Sequence, residues 1–287
     1  MFENIIKNVH NRHPLIHCIT NYVSINDCAN IVLACGGAPI MAEDINEVSQ
    51  ITSICQGLDI NIGMLNDNKL SSMLKAGATA NELGIPVILD PVGAGSSDYR
   101  IKAVQNLMSN VQFGVIRGNV SEIKAIAAKQ GIHNIAAGVY ETMQKNKSAM
   151  GVEAGIADKI TDDNIKEMAD FINKLSQKTV IAVTGGIDMV ADENRVYAIR
   201  NGHKMMSLVT GAGCQLSALT SAYVAADKEH ILESVCAAVS VMGISGELAY
   251  RRMAEVDGNA SYRNYIIDAV YNMTDETLKE LGRIERI

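Results

Sequence analysis

A chain of 287 residues with a formal net charge of −7, in which Lys and Arg nowhere cluster, offers no electrostatic footprint for a nucleic acid. Hydrophobic residues are 48%, charged residues 20% and aromatic residues 4%, which excludes disorder and requires an aliphatic, small-residue core. The first ten residues lack a signal peptide's apolar region, no uninterrupted apolar run approaches membrane-spanning length, and the six cysteines show no C-x-x-C spacing. Reduced thiols, a cytoplasmic location and no membrane partner are the expectation.

Taken in order, short apolar runs alternate with helical patterns. Leu15 to Ile19 precedes a helix over about Ser24 to Cys35, Pro39 to Met41 precedes Ile45 to Cys55, and Leu58 to Ile62 precedes Lys69 to Leu83. Val87 to Leu89 then leads to Ile101 to Met108, and Val115 to Ile116 to Ser121 to Ala128. The rhythm weakens between Ile132 and Asp158, an excursion with a helix expected near Val139 to Lys145, and resumes with a helix from Asp163 to Leu175 and a strand from Val180 to Val183. Asp188 to Ala191 and Arg195 to Arg200 predict an antiparallel hairpin at the sheet edge, and beyond Gly213 the pattern is nearly all helix. Repeated strand-then-helix predicts an α/β fold with a mostly parallel sheet covered on both faces, in one domain over residues 1–287. Ligands of such sheets bind beyond the carboxyl ends of the strands.

The residues at those ends are polar. Thr20-Asn21 follows the first strand, as a helix cap or a binding pair. Asp90-Pro91 follows the run Val87 to Leu89, where the carboxylate suits a hydrated Mg²⁺ or a turn cap. Arg117 supplies a planar donor fork for phosphate, while Asn119 and Glu122 have the spacing of a capping box and equally of a phosphate- and metal-directed pair. Thr184-Gly185-Gly186 offers a hydroxyl and mobile amides. Thr210 to Ser217 is a glycine loop opening a helix, whose free N–H groups suit an anion, with Cys214 inside that cradle. Acid, guanidinium, hydroxyl and anion loop at one end of the strands suit phosphoryl transfer, although the chain has neither a P-loop nor a G-x-G-x-x-G after its first strand.

The segments Pro14 to Asn21, Gly37 to Ala42, Leu89 to Gly93, Ile116 to Glu122, Val183 to Gly185 and Gly211 to Cys214, in this order, resemble the hydroxyethylthiazole kinases. The resemblance implies a ribokinase-like three-layer α/β/α fold and ATP-dependent, Mg²⁺-assisted phosphorylation of the primary alcohol of a methyl-hydroxyethyl-thiazole in thiamine salvage. It also implies a homotrimer with thiazole sites at subunit interfaces. By position, Arg117 and Thr184 resemble the ATP-binding pair, Met41, the Gly211 backbone and Asn21 the thiazole contacts, Asp90 and Glu122 the metal-directed acids, and Cys214 the catalytic residue. Family members usually carry Thr where this chain has Ala212, and Asp where it has Glu153. The rivals are a kinase for a hydroxymethylpyrimidine or for a sugar, the sugar disfavoured by the apolar Gly36 to Ala42 stretch, and a non-catalytic nucleotide-binding protein, disfavoured by the presence of Asp90, Arg117, Glu122 and Cys214 together.

Overall fold

The alternating runs form one twisted layer. A computed structural model describes residues 4–129 and 159–287, so the excursion between Ile132 and Asp158, its expected helix and Glu153 lie outside the described residues. Strands β1 (Leu15–Ile19), β2 (Ala38–Ile40), β3 (Gly57–Asn61), β4 (Val87–Asp90), β5 (Val115–Asn119) and β6 (Val180–Thr184) are parallel in the order β2-β1-β3-β4-β5-β6. Antiparallel β7 (Asp188–Ala191), β8 (Val196–Ile199) and β9 (Ile284–Arg286) complete nine strands. The β7–β8 hairpin is therefore one strand in from the edge, because the chain returns after its last helix and pairs Ile284 with Ile199.

Successive strand side chains point to opposite faces, and each face has its own core. On one face Ile88, Val115 and Ala182 pack beneath α1 (Ile5–Arg12), α2 (Ile25–Ala34), α8 (Ala212–Ala226), α9 (Ile231–Arg252), α10 (Asn259–Tyr271) and α11 (Asp275–Leu281). On the other, Leu89, Ile116 and Val183 meet α3 (Val48–Ile54), α4 (Asp67–Glu82), α5 (Asp98–Asn110), α6 (Val120–Lys129) and α7 (Ile165–Leu175). The result is the expected helix–sheet–helix sandwich.

Local chemistry sets the helix starts. Asn66 caps α4 by accepting from the Lys69 amide at 2.8 Å, and Ser97 caps α5 through the Arg100 amide at 3.2 Å. In α7, Ile165, Met168, Ala169 and Ile172 recur at three- and four-residue spacing and form its buried stripe. Helix α9, its apolar run interrupted by Glu233 and Glu247, is long and apolar enough to cross a membrane by length and composition, but 78% of its apolar window is buried inside the protein. Most of α8 is buried, and its small residues let it lie close on the sheet: a Cβ at Gly57 would sit 3.2 Å from both Ala225 Cβ and the Ser221 carbonyl oxygen.

Candidate active site

Asn61, Asp90, Arg117 and Thr184 stand at or near the ends of β3, β4, β5 and β6. Asp90 and Arg117 lie under the first turns of α8, against Ser217 and Gly213, and Asn61 and Thr184 join them through hydrogen bonds to Asp90 and Arg117.

Two glycines let α8 begin there. Gly211 adopts φ +78°, a left-handed conformation, and a Cβ on it would lie 2.6 Å from Ser24 Cβ. A Cβ on Gly213 would lie 2.7 Å from Arg117 Nη1, so only glycine lets the guanidinium approach the helix start. Gln215 N is the first amide to bond back within the turn, to Gly211 O at 2.9 Å, and Ala212 N reaches Val209 O at 3.4 Å. Among the described residues the Gly213 and Cys214 amides have no backbone acceptor, which makes this turn an anion cradle.

Cys214 is buried, and its sulfur accepts from Asn21 Nδ2 at 3.2 Å. The same Nδ2 donates to Asn61 Oδ1 at 3.1 Å, while Asn21 Oδ1 accepts from both the amide and the hydroxyl of Ser24 at 3.1 Å. Asn61 Nδ2 in turn donates to Asp90 Oδ2 at 2.7 Å, and Ser217 Oγ donates to the same oxygen at 2.9 Å. Asp90 thus accepts from side chains rather than capping a turn, and Asn21 holds the entry to α2 and the thiol together. Burial first and the Asp90 charge second push the thiol up to about 11, against which the donors Ser24, Asn61 and Asn21 pull only part of the way. The sequence left the sign open between helix dipole and nearby phosphates; desolvation decides it, and Cys214 is a protonated thiol at neutral pH.

Glu122 and Asn119 form a reciprocal capping box: Glu122 N donates to Asn119 Oδ1 at 2.9 Å, and Asn119 N to Glu122 Oε2 at 2.8 Å. The other oxygen, Oε1, accepts from Gly93 N at 2.7 Å, so capping and orientation toward the β4 loop coexist. The same peptide unit is gripped at its far end, where Val92 O accepts from Arg100 Nη1 at 2.6 Å. Burial, and after it the Asp90 charge, raise Glu122 to about 7. Asp90 is raised too, again chiefly by burial, with Arg117, Ser217 and Asn61 opposing.

Arg117 Nη2 donates to Thr184 Oγ1 at 2.7 Å, and Nη1 stands 3.8 Å from Asp90 Oδ1. Arg117 Nε and Asp90 Oδ1 are buried with no hydrogen-bond partner among the described residues. The turn after Thr184 is closed by Asp188, whose Oδ1 accepts from Gly185 N at 2.8 Å.

Met41 is half-buried beyond β2 and packs against the core on the α8 side. Its neighbour Ala42 is fixed by His17, whose ring nitrogens contact Ala42 O at 2.8 Å and Thr52 Oγ1 at 2.9 Å. Lys69 is buried against Glu43 at 2.8 Å, over the Tyr22 ring and bonded to the Thr20 carbonyl, which ties the loops carrying Asn21 and Met41 together.

The structure therefore brings Asn21, Asp90, Arg117, Glu122, Thr184, Gly211 and Cys214 to one end of the sheet, with Met41 on the adjoining loop. Sequence reasoning missed Asn61, Ser217, Asp188 and Arg100. The available signal for Asn61 was a polar pair, Asp59 and Asn61, at alternate positions of a buried strand.

The model of the hydroxyethylthiazole kinase family matches residues 6–276. Hydroxyethylthiazole kinase of Clostridium acetobutylicum is 51% identical over 287 residues, covering 99% of each protein. The solved structure of hydroxyethylthiazole kinase from Pyrococcus horikoshii OT3 is 30% identical, covers 99% of this chain and 98% of that one, and superposes with a TM-score of 0.83. A ribokinase-like superfamily protein from Enterococcus faecalis, 11% identical over 92% of this chain and 88% of its own with a TM-score of 0.58, shares the fold alone. With its three layers, its mostly parallel sheet and these whole-length similarities, the chain belongs to the hydroxyethylthiazole kinase family.

Proposed function

We propose that this protein phosphorylates the primary alcohol of a hydroxyethylthiazole with ATP, in thiamine salvage, and that the strand-tip cluster beneath α8 is where it does so. Family membership supports the reaction; the observation that carries the site is the convergence of Asp90, Arg117 and the Cys214-bearing first turn of α8 around linked hydrogen bonds. Five sequentially distant segments, carrying Asn21, Asn61, Asp90, Arg117 and Cys214, meet there.

Arg117 and Thr184 bind the ATP phosphates, with the unpartnered Arg117 Nε held in reserve for an anion. The Gly213 and Cys214 amides stabilise the migrating phosphoryl group. Met41, the Gly211 backbone and Asn21 hold the thiazole, Met41 by laying a thioether against a flat sulfur-containing ring. The substrate hydroxyl lies beside Cys214, which orients it rather than deprotonating it, because a thiol raised to about 11 is not a base at neutral pH. In a loose transition state the alcohol proton leaves late, so positioning carries the rate.

The acids fit Mg²⁺. Asp90 Oδ1 is a buried acceptor with no hydrogen-bond partner among the described residues, and the Asp90 charge helps to hold Glu122 up at about 7, a repulsion that a cation relieves. Asp90 and Glu122 would hold the ion; no group of three or more His, Cys, Asp or Glu that could hold a metal gathers among the described residues, in keeping with an ion that relies on phosphates and water. When bound, Mg²⁺ neutralises charge on the ATP phosphates.

The chain works as one kinase domain, in a homotrimer with thiazole sites at subunit interfaces. Tyr22 (54% exposed), Val23 (65%) and Met64 (41%) support that reading, since large apolar side chains crowd the rim that carries Asn21. The test offers ATP and Mg²⁺ with thiazole alcohol, hydroxymethylpyrimidine and ribose in parallel. Turnover of the thiazole is expected. Preference for the pyrimidine or the sugar overturns the substrate, and no turnover with any of them supports a nucleotide-binding protein instead.

A further inference from the structure

Asn61 joins the Asp90 carboxyl group to the Asn21 amide. It is fully buried at the end of β3, where its Cα pairs in register with that of Asp90. A backbone N–H can only donate, so Gly63 N, 2.9 Å from Asn61 Oδ1, fixes which end of the amide faces Asp90 Oδ2: the NH₂, at 2.7 Å. Asn61 Oδ1, facing the other way, also accepts from Asn21 Nδ2 at 3.1 Å. The Asn21 amide is held from both ends, by Ser24 at its oxygen and by Asn61 at its nitrogen. The NH₂ already bound to Asn61 also donates to Cys214 Sγ, at 3.2 Å. Two side-chain amides thus link a carboxyl group to a sulfur on another element.

We infer that Asn61 is a positioning residue of the phosphoryl-transfer reaction: through Asn21 it presents an N–H, and not a carbonyl, to Cys214, leaving the S–H hydrogen free to orient the substrate hydroxyl. The inference rests on the proposed location of the active site, but not on the identity of the alcohol. A reversed Asn21 amide would place its oxygen against the sulfur and make the S–H its donor, taking that hydrogen away from the substrate. Ser217 serves as the internal contrast, because it donates to the same Asp90 oxygen at 2.9 Å and, among the described residues, makes no hydrogen bond to Asn21 or Cys214. The ionisable groups that face Cys214 are Asp90 on β4 and Cys28 on α2.

The test compares Asn61→Leu with Ser217→Ala. Iodoacetamide alkylation of Cys214 at fixed pH, read as the labelled peptide by mass spectrometry, is expected to slow at least about fivefold in N61L, because Asn61 no longer pulls the thiol down itself and no longer holds the Asn21 NH₂ against the sulfur. In S217A it should change less than about twofold, since the amides keep their orientation. The N61L loss of kcat, about tenfold, should vanish when Cys214→Ala is already present, with the KM for ATP unchanged in both backgrounds. Asn61→Ser replaces N61L if the leucine variant does not fold by calorimetry. Unchanged alkylation, or a kcat loss equally large without the thiol, overturns the inference. Alkylation requires no turnover, so a wrong substrate assignment would leave this readout intact and reveal itself only in the kinetics.

Discussion

The two halves of the site are finished to different degrees. On the side of β1 and β3, Asn21 and Asn61 have both side-chain polar atoms engaged, and the Cys214 sulfur already accepts a hydrogen bond. On the side of β5, Arg117 Nε has no hydrogen-bond partner among the described residues, Asp90 Oδ1 has none either, and the 3.8 Å between Arg117 Nη1 and that oxygen exceeds hydrogen-bond length. An alcohol needs a preset cradle in which small displacements are costly, whereas a triphosphate brings enough charge to organise donors kept in reserve. That difference matches the proposed roles, the alcohol on the first side and the triphosphate on the second.

Breaking the reserve half should have the larger consequence. Arg117→Met removes the buried guanidinium from Thr184 and Asp90 and leaves Asp90 without its facing cation. The KM for ATP should rise by about two orders of magnitude, with thiazole binding measured by calorimetry within about twofold of the parent. An unchanged KM for ATP would move the nucleotide elsewhere and dissolve the contrast between the halves.

Disturbing the preset half should cost less. Cys214→Ala keeps the α8 amides and removes one oriented group, so kcat should fall about tenfold without being abolished, and Cys214→Asp should remain active. Because the thiol lies at about 11, the parent's kcat between pH 7 and 9 should show no inflection that C214A removes. Loss of all turnover in both variants, with folding and ATP binding intact, would instead require a thiolate.

Much of this end of the sheet was legible in the chain. Asp90, Arg117 and Thr184 follow apolar runs, and in a parallel sheet every such run ends on the same edge; Gly211 and Gly213 announce the helix start. Asn61 was hidden because it reads as the interior of the run Leu58 to Ile62, and only its register with Asp90 gives it a role. Ser217 resembles helix filling until the crossing of α8 over β4 is known. The hairpin was mistaken for the edge because β9 is three residues long and alternates Ile, Glu and Arg, too short a pattern to register. The state of the Cys214 thiol required the burial itself, since dipole and desolvation act in opposite directions.

Asp59 gives the smallest effect and the sharpest separation of stability from catalysis. It lies on β3 between Gly57 and Asn61, on the same face as both, fully buried beneath α8, and neither carboxyl oxygen has a hydrogen-bond partner among the described residues. Burial first and the Asp90 charge second hold it well above its ordinary value of 3.8, with Arg117 opposing. The folded state therefore keeps a proton there that the unfolded chain releases, so the stability contribution is full below about pH 3.8 and drains away as pH rises through the folded value. Asp59→Asn preserves shape and removes only the titration. The two melting temperatures should converge near pH 4 and separate with rising pH, until at pH 8 the variant is stabilised by about 1–2 kcal/mol, a few degrees for a chain of this size. Parallel curves across that range would mean that Asp59 has found a partner, and that the dry layer beneath Asn61 is more polar than its packing indicates. Since Asp59 lies one side-chain layer below the amides, its removal should leave the KM for both substrates in place, separating what holds the preset half together from what it does.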